Sequence, residues 1–447
     1  MKKVHIGRKN ISLWTVGIIV CLFVIPILFI ACEYSNEPAI IYKPDQSIDT
    51  TGRPFISGIL PATQAVAGVR EITIIGTNLG IRNGTDTNWV LIGGVKPIYK
   101  DIQNSAITIY RPQLSDDKYG KSIYVNITDP KLLGVSSSFT YLVESPGAVV
   151  GDYTGINSLN AIEFDNKNPE NIYIEAANKN VYKTDFPGVT QTIVLNPANL
   201  LSSDFAGVTS MSFGPGSSDR NLFMTVSKPY VYRIIVYDTL NKNNKPVKLN
   251  TPTPVHQLDF DESGNLFTAG IGNIYYADTS VGNSATPTFS SIGGYTGGVP
   301  KKMRLVKESG ILQLYIADSL RVWKGPITTS SFSGGSPLVD LTTKPSLSGC
   351  FISSIEVDAN GTILLCIINH AKYSLFVRES DGSITPFYTD SKILPKTAEK
   401  LAWGNNKYLY LISSSWQTQP TVYAPGRVYI MTLDRNGAPY NGRTFVK

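Results

Sequence analysis

The chain has 447 residues, a formal net charge of +6, 38 Gly, 27 Pro and 24 Tyr, but only 17% charged residues. Four cations, Lys2, Lys3, Arg8 and Lys9, fall in an acid-free N-terminal segment, and removing them from +6 leaves +2. So even a balance excludes a nucleic-acid partner recruited by bulk charge, and the absence of long helical periodicity beyond that segment argues against a helical architecture.

The first element is a targeting segment. Its positive start is followed by a nearly uncharged run from Ile11 to Ala31, the arrangement of an export signal. The run ends in Phe29-Ile30-Ala31-Cys32, which resembles the lipobox of bacterial lipoproteins, although Phe29 stands where Leu is usual. The resemblance implies a signal peptide over 1–31 and lipidation of Cys32. Two or three acyl chains, at about 0.8 kcal/mol per buried CH₂, hold a protein to a membrane without a spanning helix. The alternative is an uncleaved anchor, since about 20 apolar residues span a bilayer. Residues 32–53 are polar, include Pro38 and Pro44, and read as a flexible tether.

Residues 54–145 read as a small β-sandwich. Glu71-Ile72-Thr73-Ile74-Ile75 and Ser122-Ile123-Tyr124-Val125-Asn126-Ile127 alternate across two faces, with Gly, Asn and Pro between the runs. Pro54, Ile56, Ile59 and Pro61, the turn Gly76-Thr77-Asn78-Leu79-Gly80, the hairpin Val90 to Val95 and the closing Ser138-Phe139-Thr140-Tyr141 together resemble the immunoglobulin-like IPT/TIG family. In the turn, Gly76 and Gly80 are expected at positive φ, with Asn78 tolerating the left-handed region. Such domains carry no catalytic constellation, and a spacer role is the expectation.

From 147 to 447 a pattern returns six times: an apolar strand ending in a large residue, a polar turn, a second strand, then an aliphatic–aromatic pair. The strand ends are Phe164, Phe213, Phe260, Val306, Val357 and Trp403, spaced by 49, 47, 46, 51 and 46 residues. The aromatics of the pairs are Tyr182, Tyr232, Tyr275, Trp323, Phe376 and Tyr429. Their fixed phase predicts packing between repeats. A period in the high forties with about four strands per unit predicts a six-bladed β-propeller. Turns such as Asp261-Glu262-Ser263-Gly264-Asn265-Leu266, with the pairs that follow, resemble NHL-type propellers. The predicted fold is therefore all-β, a sandwich followed by a propeller.

Loops joining second to third strands, and those joining blades, should emerge on one face and surround the central channel. Aromatics there are candidate stacking platforms: Trp416 and Tyr423, with Gln417, on the long blade-six loop from Ser413 to Arg427. Tyr295 sits in the connection into blade four, ahead of Lys301 and Lys302. Tyr153 precedes blade one, and Asp204 precedes blade two.

Signals for catalysis are sparse. Besides His5, the chain has only His256 and His370, too few for a histidine metal site. No Gly-x-Ser-x-Gly lies near either histidine, Asp-box repeats of the sialidase kind are lacking, and Gly293 to Gly298 lacks the lysine of a phosphate loop. Paired carboxylates are not excluded by sequence, and structural calcium on channel carbonyls and carboxylates is the one cofactor the architecture would admit. Cys350 and Cys366 fall on neighbouring predicted strands, as a disulfide or as buried thiols. The whole resembles surface lipoproteins of Gram-negative, glycan-harvesting bacteria. That resemblance implies an outer-membrane, cell-surface, non-catalytic binder of a polysaccharide or oligosaccharide near a transporter. A protein-interaction or adhesion module, and a polysaccharide lyase or glycosidase, are the alternatives.

Overall fold

A computed structural model describes residues 53–80, 89–129, 134–153, 159–164, 171–176, 180–185, 191–195, 207–214, 221–235, 246–279, 286–390, 392–394, 398–403, 407–413, 417–419, 422–423 and 426–438. The signal segment, Cys32 and the tether lie outside them.

The first domain is a sandwich of two four-stranded sheets. Phe55–Leu60, Glu71–Thr77, Ala106–Tyr110 and Tyr99–Ile102 form one; Gln64–Ala65, Gly134–Val143, Ser122–Asp129 and Trp89–Ile92 form the other. Strand alternation delivers Ile72, Ile74, Ile107, Ile109, Val125 and Ile127 to the shared core. The turn after Glu71–Thr77 departs from expectation. Only Asn78 takes positive φ (55°); Gly76 is required because a Cβ there would lie 1.9 Å from the Phe55 carbonyl oxygen. The glycine serves close backbone approach, not left-handed geometry.

Six four-stranded antiparallel blades follow. Their inner strands are Leu159–Phe164, Ser210–Phe213, the second half of Val247–Phe260, Lys302–Glu308, Phe351–Val357 and Ala398–Trp403. Each contacts the next and the sixth contacts the first, so the ring is closed. Val247–Phe260 serves two blades, as outer strand of blade two and inner strand of blade three. Pro252 and Pro254 lie between the two uses, where no ladder donor is needed. Blade six takes its outer strand from far upstream: Ala148–Tyr153 pairs with Gly426–Thr432, only four residues after the last sandwich strand. The end of the ring is thus clasped by its beginning.

Six apolar clusters fill the ring, one between each neighbouring pair of blades. Every repeat aromatic packs toward the preceding blade: Tyr182 against blade six, Tyr232 against blade one, Tyr275 against blade two, Trp323 against blade three, Phe376 against blade four and Tyr429 against blade five. Strand ends do likewise, with Phe164 on Tyr410 (5.1 Å), Phe213 on Tyr173 (4.9 Å) and Phe260 on Phe223 (4.9 Å). In blade four the phase shifts by one. Leu305, rather than Val306, packs against the preceding blade, whereas Val306 joins the cluster toward blade five. Cys350 and Cys366 are buried free thiols.

The sandwich is docked onto blades five and six. Arg70 donates to the Phe387 carbonyl (2.8 Å), the Glu379 carboxylate (2.8 Å) and the Thr385 hydroxyl (3.2 Å), and lies over the Phe387 ring. Ala67 enters the cluster between blades five and six, and the Gly68 amide donates to the Thr432 carbonyl (3.2 Å). A Cβ at Gly68 would meet the Asp434 amide at 2.7 Å, so glycine is what permits this approach. Arg111, buried, donates to the carbonyls of Ala65, Val66 and Glu144, and so fixes the segment leaving the sandwich.

Candidate functional site at the channel mouth

Side chains alternate along each inner strand, so every second residue faces the axis. Just before the strand-end aromatics this gives a ring of Glu163, Ser212, Asp259, Arg304, Glu356 and Ala402. Arg304 is the centre of the ion pairing there. Arg304 lies 3.0 Å from Glu356 and 3.8 Å from Asp259, and Lys302, one layer up, lies 3.2 Å from Glu356. This ion-paired layer sits below the open end.

Above it, four inner strands carry a bulge at the same phase. Their ladders skip between Leu159 and Ala161, Val255 and Gln257, Ile352 and Ser354, and Ala398 and Lys400. A bulge re-aims side chains that alternation would send apart. The extra residues are Asn160, His256, Ser353 and Glu399. Three of these bulges bring consecutive polar pairs or neighbours to the channel mouth, where the cavity is lined by Asn160, Thr209, Ser227, His256, Gln257, Lys301, Glu399 and Lys400. Its volume is about 420 Å³, within the range of small-ligand sites. A neck of about 20 Å³, lined by Ala161, Ser210, Lys302 and Ser354 among others, continues it downward.

The lining is mixed, with Leu159, Val208, Val299 and Pro300 beside these polar groups, several of which are held in place. Gln257 donates to the Thr209 carbonyl (3.1 Å), and Asn160 donates to the Glu175 carboxylate (2.8 Å). The Ser227 hydroxyl and His256 Nδ1 lie 2.9 Å apart. Burial, then the charge of Lys301, pushes the His256 imidazole below its ordinary 6.5, so it is neutral at pH 7. Burial first, then Lys302 and Lys301, lowers the Lys400 ammonium from 10.5 to about 8, against the opposing influence of Glu399 and Cys366. Ser227 occupies positive φ (57°), but so do Gly272 (70°) and Asn369 (67°) in the equivalent turns of blades three and five. Its strain belongs to the repeat.

Of the sequence-derived site candidates, Tyr295 alone has its side chain among the described residues, and it does not line this cavity. Tyr295 is the clear correction: it is 6% exposed, edge-on to Trp323 at 5.1 Å, and its hydroxyl donates to the Gly298 carbonyl (2.8 Å). Gly297 makes room, since a Cβ there would lie 2.3 Å from the Tyr295 ring and 2.4 Å from Trp323. A ring spent on the core between blades three and four offers no stacking face. Trp416 and Asp204 lie outside the described residues. Gln417 and Tyr423 fall in a short hairpin, Gln417–Gln419 with Val422–Tyr423, inside the long blade-six loop, and Tyr153 pairs with Gly426 in the clasp; their side chains lie outside what is described. His370 is structural: its Nδ1 accepts from the Tyr373 amide (3.0 Å) and its ring stacks on Tyr373. Among the described residues no group of three or more His, Cys, Asp or Glu side chains is placed to hold a metal ion.

What sequence reasoning missed is the inner-strand polarity. Asn160, His256, Gln257 and Lys400 are polar residues of the inner strands that lie three to four residues before the strand end. That shared phase is the signal that would have found them.

Residues 54–142 match the IPT/TIG domain family. No curated protein matches the chain. Solved structures similar to it include an auxiliary nutrient binding protein from Bacteroides thetaiotaomicron VPI-5482 (11% identity, 85% of this chain and 97% of that one, TM-score 0.46). A luciferin-regenerating enzyme (13% identity, 67% of this chain and 100% of that one, TM-score 0.47) and a calcium-binding protein, regucalcin, from Agrobacterium tumefaciens (15% identity, 66% and 97%, TM-score 0.47) are also similar to it. Identities this low transfer neither ligand nor reaction.

Proposed function

We propose that this protein is a non-catalytic saccharide-binding lipoprotein. In this reading it is anchored through Cys32 to the outer membrane, faces the cell exterior, and hands its ligand to a transporter. The observation that carries the binding role is the cavity of about 420 Å³ at the channel mouth. Amide, hydroxyl and amine groups from blades one, two, three, four and six converge on it, the mixture that hydroxyl-rich ligands require. The sandwich, clamped by Arg70 and Ala67, spaces that mouth from the flexible tether that leads to the anchor. Binding of soluble oligosaccharides from a glycan array by the full-length protein, and its loss by tenfold or more in His256→Ala, is the expected result. Binding unchanged in His256→Ala but lost in Trp416→Ala would move the site out to the blade-six loop. No retention of any glycan would refute the saccharide reading.

One contact favours a second reading. The Ser227–His256 pair is the beginning of a hydrolytic nucleophile and base, although among the described residues no carboxylate bonds the imidazole to orient it. Ester turnover that disappears in Ser227→Ala would establish it.

A further inference from the structure

We infer that the ligand of the channel mouth is an acidic saccharide, whose carboxylate or ester sulfate lies between the ammonium groups of Lys301 and Lys400. This rests on the saccharide reading above and adds the charge of the ligand. The argument begins with pairing. Lysines in folded interiors are stabilised by carboxylates, and the deeper cations obey: Lys302 and Arg304 both pair with Glu356. Lys301 and Lys400 do not. Both line the cavity, both are only partly exposed, and among the described residues neither forms an ion pair.

Arrangement sharpens the point. Lys301 follows the blade-four connection, and Lys400 follows the bulge at Glu399, so chain segments a hundred residues apart deliver two like charges to one cavity. Like charges brought together without a counter-ion cost free energy, and an anion entering between them removes that cost. Glu399 is the opposing charge on the lining, and it does not outweigh them, because Lys301 and Lys302 act more strongly on Lys400 than Glu399 does. Around this charged pair stand the neutral His256 and the groups of Asn160, Thr209 and Gln257, suited to the hydroxyls of a sugar ring. The cavity is a funnel that narrows into the neck of about 20 Å³ above the ion-paired layer, so it suits a chain end or a short oligosaccharide better than the middle of a long chain.

The test is titration calorimetry on full-length protein in detergent with four probes: an oligogalacturonide, a carrageenan oligosaccharide (sulfated, without carboxylates), a neutral galacto-oligosaccharide and inorganic sulfate. The expected result is that one of the two acidic oligosaccharides binds at least tenfold more tightly than the neutral one. Lys301→Met and Lys400→Met should each weaken it tenfold or more while retaining wild-type circular dichroism, and affinity should fall with added salt. Which acidic probe wins separates carboxylate from sulfate. Equal affinity for the neutral probe, or lysine variants that bind as the wild type does, overturns the inference and leaves the saccharide reading standing. Inorganic sulfate binding as tightly as either acidic oligosaccharide overturns it as well, since the sugar would then contribute nothing. Failure of all four probes overturns the inference too, and the glycan array then decides whether the saccharide reading falls with it.

Discussion

Replacing Lys400 by Met should stabilise the protein. A lysine whose folded pKa lies below its unfolded value opposes folding while it is charged. The penalty is complete below the folded value, near pH 8, and fades as pH rises toward the unfolded value. For Lys400, lowered from 10.5 to about 8, 1.36 kcal/mol per pKa unit gives a penalty of about 3 kcal/mol at pH 7 and under about 1 kcal/mol at pH 10. Water entering the cavity reduces the upper figure, so about 1–3 kcal/mol is expected at pH 7. Met keeps the stem and removes the ammonium. The groups whose charge acts on it, Lys302, Lys301, Glu399 and Cys366, are kept in the variant, so the pH dependence of the difference reports Lys400 together with its couplings to them. Urea unfolding of both proteins at pH 7 and pH 10 measures it. A variant less stable than wild type at pH 7, or one whose advantage is the same at both pH values, would refute the reasoning. Stability gained at the cost of anion affinity would mark Lys400 as retained for binding.

Other positions give independent tests. Arg70→Ala should cost about 1–3 kcal/mol by leaving Glu379 and the Phe387 carbonyl unpaired, and calorimetry should resolve two transitions where the docked protein shows closer coupling. Gly76→Ala drives a methyl into the Phe55 carbonyl, and loss of at least roughly 2 kcal/mol is expected in the sandwich transition alone. Tyr295→Ala empties core space between blades three and four. It should cost about 3–5 kcal/mol while ligand affinity, measured below the melting transition, stays within twofold.

The repeat was legible because each blade must bury two faces against its neighbours, and that demand recurs at fixed phase in Phe164, Phe213, Phe260, Val357 and Trp403. It slipped by one residue in blade four for a physical reason: Leu305 and Val306 are both fully buried, on opposite faces, so hydrophobicity does not distinguish them. The sandwich was legible from strict alternation in Glu71–Thr77 and Ser122–Asp129. Binding residues were harder. A bulge adds one residue without changing composition, so nothing marks Asn160, His256 or Glu399 as redirected. Aromatic content misled at Tyr295, where the neighbouring glycines that suggested an open loop are what lets the ring turn inward. Lys301 and Lys302 follow that tyrosine side by side, yet their separate fates, one paired with Glu356 and one facing the cavity, depend on residues of other blades.

The clasp made by Ala148–Tyr153 on Gly426–Thr432 has a consequence for biogenesis. A domain emerging N-terminal end first exposes the lone upstream strand long before its partner exists, and five blades can assemble while the circle stays unlocked. Until the segment beyond Gly426 has been made, Ala148–Tyr153 is an unpaired edge next to an already folded sandwich, open to pairing with the wrong chain. Completion of the circle is therefore the last event in making the funnel, and only a fully synthesised molecule presents its lysines at a common opening.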